Sequence, residues 1–201
     1  MTPSVRRLLL PAGMWYLAGT LEGVEALRQR RRSGAGRSRL ASPADRDPAS
    51  LRLLTLTWWP AGAVALAEAA VLPRLSAGRK WDRHWLIAGI AVTGTGIVLR
   101  QWAIRTLGQH FVRHVLVQPG QTVVSSGPYR WLRHPSYTGL WLEMTGVGLS
   151  TGNAASLATC ALVPLAGITA RINGEERELT ASLPGYREYI QGKPRLVPHL
   201  W

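Results

Sequence analysis

The sequence predicts an all-α fold, a polytopic membrane helical bundle of about five transmembrane helices in a single domain, residues 1–201. Three observations support this prediction. Hydrophobic residues make up 46% of the chain and charged residues 17%, below the roughly 25% charged residues of soluble domains. Apolar residues are concentrated in long blocks, and arginines lie between the blocks. Nine tryptophans accompany a single phenylalanine, a composition that also favours a membrane protein.

The N-terminal half contains three apolar segments that predict spanning helices. Residues 85–104 are the clearest case, because about 20 apolar residues cross a bilayer and Arg100 is the one charged residue among them. Arg100 lies near the end of this segment, so we expect its long side chain to snorkel to the polar interface. Residues 51–73 and 8–27 predict two further spans, although both contain glutamate.

The C-terminal half predicts a helical hairpin. Between residues 136 and 170 only Glu143 is charged, and the sequence Ser-Thr-Gly-Asn at 150–153 divides the stretch into two short helices. A hairpin returns the chain to the side from which it started. The polar segments that flank it, residues 127–139 and 171–189, should therefore meet at the membrane surface.

The distribution of basic residues predicts which side this is. With five spans, residues 28–50, 104–135 and 171–201 share one side and carry 16 basic residues, against 6 in the N-terminus and the 74–84 loop. Positive charge favours the cytoplasmic side, so the C-terminal region is predicted to be cytoplasmic. The 22 arginines against 2 lysines favour a bacterial source, and hence the inner membrane.

The net charge of +13 would indicate nucleic-acid binding in a soluble protein. Here the arginines flank apolar segments, where they orient the chain and attract anionic head groups, so membrane lipids rather than nucleic acid are the expected partners. The basic loop 28–50, rich in Arg, Ser, Gly, Ala and Pro, has no core of its own. The single cysteine, Cys160, excludes a disulfide within the chain.

Several common catalytic motifs are absent from the sequence. There is no GxSxG elbow, no GxxxxGK[ST] phosphate loop and no paired Cys/His spacing, so no metal site is predicted. The glycines of residues 89–96 lie within a predicted span. Close packing of helices explains small residues there better than dinucleotide binding does.

Arg171 and Glu175 have the i, i+4 spacing that places two side chains on one face of a helix. One interpretation is a surface ion pair, worth a few tenths of a kcal/mol. The other is that Arg171 holds an anionic substrate group through its fork of donors while Glu175 holds a cation. A site that holds an anion beside a cation suits a sulfonium methyl donor that approaches a carboxylate.

The segment from Gly127 to Gly139 contains His134 and Tyr137 on either side of Pro135. Proline disfavours helix at the residue before it, so His134 is predicted to be a helix boundary. With its tyrosines and glycines the segment suits a nucleoside and an amino-acid tail, although a purely structural role stays open. A carboxylate inside a span is a functional hypothesis by default, and a protonated or arginine-paired buried residue is the alternative for Glu143.

Together these segments resemble the isoprenylcysteine carboxyl methyltransferase family and its bacterial relatives. The resemblance rests on GPYRWLRHPSYTG at 127–139, Arg171-Ile172 followed by Glu175-Glu176, YREY at 186–189, PRLVP at 194–198 and residues 101–124. It covers roughly half the chain. It divides the single domain into N-terminal transmembrane helices, residues 1–104, and a methyltransferase core with the catalytic region, residues 105–201.

The resemblance implies an S-adenosylmethionine-dependent enzyme that methylates the carboxylate of a lipophilic, isoprenylcysteine-like substrate at the membrane surface. Arg171 matches the arginine that orients the substrate carboxylate. The residues implied in holding the methyl donor are Gln118, Gln121, Thr122, Val123, Val124, Tyr129, His134, Pro135, Ser136, Tyr137 and Glu175. A carboxylate is already ionised at neutral pH (pKa ~3.5), so it needs no general base.

Three other functions fit parts of the sequence. A phospholipid amine methyltransferase is similar in this region, but Arg171 would repel an ammonium head group. A sterol-type membrane reductase that binds NADPH shares an Arg-His-Pro-x-Tyr-x-Gly stretch. In a non-enzymatic membrane protein the two polar clusters would be mere surface. Within the favoured function, a prenylcysteine, a small isoprenoid and a fatty acid all fit as acceptor.

Overall fold

The computed structural model describes residues 3–34, 48–72, 83–111 and 122–197. These residues form helices and their connections, without a β-strand. The six α-helices are α1 (Pro3–Gly34), α2 (Pro48–Val71), α3 (Arg83–Leu107), α4 (Pro135–Ser150), α5 (Ala154–Ser182) and the short α6 (Tyr186–Tyr189). Two 3₁₀ turns, Gly108–His110 and Gly127–Arg130, precede α4. The predicted all-α fold is confirmed.

Among the described residues, three helices are long and apolar enough to cross a bilayer, namely Arg52–Val71 within α2, all of α3 and all of α5. α4 has 16 residues, fewer than the roughly 20 that a bilayer requires, and α1 has 32 residues but is less apolar. Large apolar side chains cover the outer surface; Leu56, Val71, Val98 and Leu162 are all more than 60% exposed. Such a surface suits lipid as the surrounding solvent.

Glycines allow α3 and α4 to pack closely. A Cβ atom added to Gly96 would lie 2.6 Å from the carbonyl oxygen of Gly139, and a Cβ added to Gly139 would lie 2.6 Å from that of Gly96. Gly89 approaches the carbonyl oxygen of Gly146 in the same way. The prediction that the glycines of residues 89–96 serve helix packing is confirmed for Gly89 and Gly96, whereas nothing lies within 4 Å of a Cβ added to Gly94.

The predicted hairpin of α4 and α5 is also confirmed. Asn153 caps α5, because its Oδ1 accepts a hydrogen bond of 3.1 Å from the backbone N–H of Ser156. Its Nδ2 donates to the carbonyl oxygen of Leu72 over 2.9 Å, and the hydroxyl of Ser156 donates to that of Ala65 over 2.7 Å. The turn of the hairpin is therefore fixed to α2.

α5 is longer than predicted. It continues from residue 170 to Ser182, because residues 171–182 are mostly good helix formers and contain no proline. The helix ends at Leu183, which adopts an extended conformation (φ −104°, ψ 110°) before Pro184. Residues 171–182 of the second polar segment are thus carried by a continuous helix that begins at the turn of the hairpin, and residues 186–189 form α6.

The prediction that Arg100 snorkels to the interface is wrong. Arg100 is 7% exposed and its Nη1 donates hydrogen bonds to the carbonyl oxygen (3.0 Å) and the hydroxyl (2.8 Å) of Ser136. Its Nε and Nη2 face the carboxylate of Glu22 on α1. The ion pair and the further hydrogen bonds compensate the free-energy cost of burying the guanidinium. Arg100 thereby links α1, α3 and α4.

Candidate active site

The first predicted polar cluster lies at the beginning of α4. His134 is the N-terminal flanking residue of the helix (φ −126°, ψ 57°) and Pro135 its first residue, so the predicted boundary is confirmed. Gly127 begins the preceding 3₁₀ turn with φ of 55°, a conformation that side chains rarely adopt. This turn holds Tyr129 in a buried position.

Tyr137 connects the first cluster to the second. Its hydroxyl donates a hydrogen bond of 3.0 Å to Oε2 of Glu175 and accepts one of 3.3 Å from Nε of Arg171. Arg171 also donates from Nη1 to the hydroxyl of Ser50, 3.3 Å away at the start of α2. The predicted meeting of the two clusters is therefore confirmed. One phenol lies between a guanidinium and a carboxylate.

Glu176 is the most highly connected carboxylate of the site, although no role was predicted for it from the sequence. It is 8% exposed. Its Oε1 lies 3.0 Å from Nη1 of Arg133 and 3.1 Å from Nε2 of His134, and its Oε2 lies 2.8 Å from Nη2 of Arg195. The signal that could have found it is the group of basic residues at 133, 134 and 195, which need a counter-charge once they are brought together.

The segment that follows α6 binds back onto the start of α4. The backbone N–H groups of Arg133 and His134 donate to the carbonyl oxygens of Pro194 and Arg195, both over 3.0 Å. The hydroxyl of Thr138 donates to the carbonyl oxygen of Leu196 over 2.8 Å. Residues 194–196, which we name the return segment, thus hold the residues on both sides of His134.

Tyr189 of α6 supports the 3₁₀ turn from the same side. Its hydroxyl donates to the carbonyl oxygen of Tyr129 over 2.8 Å, and Nζ of Lys193 donates to the same oxygen over 3.2 Å. Nζ of Lys193 also lies 3.8 Å from the centre of the Tyr189 ring. Burial raises the pKa of Tyr189 to about 12, raises the pKa of Tyr129 and lowers the pKa of Lys193.

The described residues that were predicted to hold the methyl donor divide into three groups. Tyr137 and Glu175 contact each other beside Arg171. The side chains of His134 and Ser136 are instead engaged by Glu176 and Arg100, while Pro135 and Tyr129 are buried. Thr122, Val123 and Val124 lie in a non-helical segment and are half-buried or exposed. Gln118 and Gln121 lie outside the described residues.

Glu143 is buried in α4, where its carboxyl group interacts electrostatically with Arg100. Its backbone carbonyl oxygen accepts a hydrogen bond of 3.2 Å from the hydroxyl of Thr93 on α3. Within the described ranges, no three His, Cys, Asp or Glu side chains lie close enough together to hold a metal ion. The chemistry that the described site offers is that of one guanidinium, one phenol and one carboxylate in contact.

Known proteins share this region of the chain. Residues 88–181 match the isoprenylcysteine carboxyl methyltransferase (ICMT) family. Uncharacterized protein YpbQ of Bacillus subtilis is 28% identical over 100 residues, which cover 50% of this chain and 60% of that protein. Protein-S-isoprenylcysteine O-methyltransferase B of Arabidopsis thaliana is 30% identical over 138 residues, which cover 66% of this chain and 67% of the plant protein.

A solved structure supports the same assignment at the level of the fold. The structure of a eukaryotic intramembrane Ras methyltransferase, ICMT, matches with a TM-score of 0.67 and 24% sequence identity, over 99% of this chain and 69% of that chain. The matched sequence includes the start of α4 and the polar end of α5, where the site is built. This chain is a membrane protein that belongs to the isoprenylcysteine carboxyl methyltransferase family.

Proposed function

We propose that this protein is an S-adenosylmethionine-dependent methyltransferase that esterifies the carboxylate of a lipophilic, isoprenylcysteine-like molecule at the membrane surface. One observation carries the proposal. The hydroxyl of Tyr137 lies 3.0 Å from a carboxylate oxygen of Glu175 and 3.3 Å from Nε of Arg171. Glu175, which attracts cations, and Arg171, which attracts anions, thus contact the same phenol. Methyl transfer from a sulfonium to a carboxylate requires a cation and an anion to be held side by side.

The residues around Glu175 fit the methyl donor. Glu175 is partly exposed, in contrast to the buried Glu176 beside it, so its carboxylate is accessible to a cationic group. Residues 122–125 are non-helical, and their backbone amides suit the polar edge of a nucleoside or an amino-acid carboxylate. We therefore assign donor binding to Glu175, Tyr137 and residues 122–124, while His134 and Ser136 position the backbone of the same site.

Arg171 is the residue that orients the acceptor. It is buried, and Tyr137 and Ser50 fix its guanidinium from two sides. A fixed guanidinium binds both oxygens of a carboxylate and so determines its direction. Because a carboxylate is ionised at neutral pH, no residue has to remove a proton from it.

The catalytic contribution of the chain is positioning and exclusion of water. When bound, the donor supplies a methyl group on a positively charged sulfur. Arg171 and Glu175 lie on one face of α5, so the distance between the two binding groups is fixed by a helix rather than a loop. The return segment and the buried Tyr129 close the polar end of the bundle, and the closed surroundings strengthen each electrostatic contact.

The location follows from the same topology. We propose a cytoplasmic active site on a bacterial inner membrane, because the side of the chain that carries residues 171–201 holds most of the basic residues. The apolar tail of the acceptor lies among the lipid-facing side chains of the bundle. The methyltransferase core is residues 105–201, and α1 and α3 support it through Glu22 and Arg100.

The test measures binding and transfer separately. Titration calorimetry with S-adenosylmethionine on detergent-purified protein is compared for the wild type, Glu175→Gln and the control Glu178→Gln, whose carboxylate accepts from Ser182 one turn further on. We expect saturable binding that is weakened at least tenfold in Glu175→Gln only. Methyl transfer is then measured to an S-prenylated, N-acylated cysteine and to the amide of that molecule, which lacks a carboxylate.

Transfer to the free acid but not to the amide supports carboxyl methylation. Transfer to an aminophospholipid instead would replace the acceptor assignment and leave the donor site intact. If S-adenosylmethionine does not bind while NADPH does, the protein is a reductase and the proposal is wrong.

A further inference from the structure

An open depression lies beside the last turns of α5, and neither Arg171 nor Tyr137 lines it. Its volume is about 520 Å³. Its lining residues are Asn173, Glu176, Arg177, Thr180, Ala181, Arg187 and Arg195. We name it the arginine groove, because its three basic side chains come from three different elements: α5, α6 and the return segment.

The arginine groove is positively charged. Among the described residues that line it, Glu176 is the one acidic residue against three arginines; its carboxylate contacts Arg195 of the groove as well as Arg133 and His134, which leaves the charges of Arg177 and Arg187 in excess. Arg177 and Arg187 are exposed, and Nε of Arg177 donates to the carbonyl oxygen of Asn173 over 3.0 Å. The groove therefore combines an excess of positive charge with a guanidinium that is already fixed in place.

The geometry points to a phosphate group as the ligand of the arginine groove. The exposed guanidinium groups of Arg177 and Arg187 line one depression beside Arg195, whose own guanidinium contacts Glu176 and Asn173. Two guanidinium groups match the charge and the oxygens of a phosphate, whereas a single carboxylate offers two oxygens and one charge. The side chains of Asn173 and Thr180 add uncharged hydrogen-bonding groups to the lining. We propose that the groove binds a phosphate-bearing molecule at the surface of the membrane.

Binding there would stabilise the neighbouring site. A phosphate held by Arg177 and Arg187, beside Arg195, ties α5 and α6 together next to the return segment. Arg195 is the residue whose backbone carbonyl oxygen accepts from the N–H of His134 and whose side chain contacts Glu176. Occupation of the groove should therefore raise the stability of the folded protein, since a ligand that binds only the folded state stabilises it by mass action.

The experiment measures thermal unfolding of the full chain in an uncharged detergent at constant ionic strength. The probes are phosphatidylglycerol, phosphatidylcholine, glycerol phosphate and inorganic phosphate, with sodium chloride as the ionic control. The test variant is Arg177→Ala/Arg187→Ala. The matched control is Arg52→Ala/Arg105→Ala, which removes two exposed arginines outside the groove.

We expect a probe-dependent rise in Tm in the wild type and in the control, and about a tenfold loss of apparent affinity in the test variant. A rise with phosphatidylglycerol alone identifies a lipid head group as the source of the phosphate. A rise with glycerol phosphate and inorganic phosphate as well identifies a soluble phosphoester. No rise with any probe, or equal losses in both double variants, would overturn the proposal. These readouts do not depend on methyl transfer.

Discussion

Arg100 on α3 joins the carboxylate of Glu22 on α1 to both oxygen atoms of Ser136 on α4. The residue after Ser136 is Tyr137, the phenol at the centre of the candidate site. The orientation of that phenol therefore depends on helices whose sequences carry no catalytic motif. This relationship leads to the first prediction.

Replacement of Arg100 by Leu should destabilise the protein by about 3 kcal/mol, because it leaves the partly buried carboxylate of Glu22 and the hydroxyl of Ser136 without their cation. The measurement is reversible unfolding in mixed detergent, with Arg105→Leu on the exposed face of α3 as control. Glu22→Gln/Arg100→Leu should recover part of the loss. Equal stabilities of Arg100→Leu and Arg105→Leu would contradict the inferred role of the ion pair.

Tyr137→Phe should lower kcat/KM for methyl transfer by about 10- to 100-fold and should also lower the free energy of unfolding by about 1.5–3 kcal/mol. The hydroxyl makes hydrogen bonds to two charged groups, and each such bond is worth about 1.5–3 kcal/mol. A loss of about 1.4 kcal/mol of transition-state stabilisation lowers the rate tenfold. Steady-state kinetics test this, with Tyr16→Phe, whose side chain is exposed, as control. Unchanged kinetics would contradict the assignment of Tyr137 to the active site.

Glu176→Gln should unfold at a markedly lower temperature than the wild type, because Arg133, His134 and Arg195 then meet without a counter-charge. We expect a loss of about 3 kcal/mol, as for a broken buried ion pair. Glu178→Gln, two residues further along the helix, should lose less than about 0.5 kcal/mol. If the two variants unfold together, Glu176 is not the structural centre that the geometry indicates.

Gly96→Ala should destabilise the protein by about 2 kcal/mol or more, since the added Cβ would lie 2.6 Å from a backbone oxygen of α4. Gly94→Ala is the matched control in the same helix, because nothing lies within 4 Å of an added Cβ there. We expect this control to be neutral or more stable by up to about 1 kcal/mol, the helix preference of Ala over Gly. A destabilised control would mean that helix packing does not explain the difference.

Stability should fall at alkaline pH through Tyr189. Burial raises the pKa of its phenol from the usual 10 to about 12, so the neutral form that donates to Tyr129 is favoured in the folded protein. A raised pKa contributes its full stabilisation below the unfolded value and loses it as pH rises through the folded value. We therefore expect Tm to decrease between about pH 10 and 12.

The matched comparison for this pH dependence is between Tyr189→Phe and Tyr16→Phe. Tyr189→Phe should show a shallower decrease of Tm over that range, because the titrating phenol is gone. Tyr16→Phe should keep the slope of the wild type, since that side chain is exposed. Identical slopes in both variants would show that Tyr189 does not contribute.

Local rules predicted part of this architecture. Pro135 determined the start of α4, and the i, i+4 spacing placed Arg171 and Glu175 on one helical face. Topology then predicted that residues 127–139 and 171–189 meet, because a hairpin returns the chain to its starting side, and in the structure Tyr137 and Glu175 make one of the contacts between them. These inferences required only the local sequence around each residue and the lengths of the two helices of the hairpin.

The remaining contacts could not be read from spacing. Glu22 and Arg100 are 78 residues apart, and Ser50 and Arg171 are 121 apart. A charged residue near the end of an apolar segment can reach the interface or a buried partner, and sequence alone does not distinguish the two. Glu176 was overlooked for the same reason, since its three partners lie in two segments that only the folded chain unites.

The return segment also constrains the order in which the protein matures. The backbone groups of Arg133 and His134 find their partners at Pro194 and Arg195, about sixty residues later in the chain. A ribosome adds residues at roughly 5–20 per second, so the start of α4 waits several seconds for those partners to emerge. The apolar helices α2, α3 and α5 can form during this time, and the return segment closes the polar end of the bundle only afterwards.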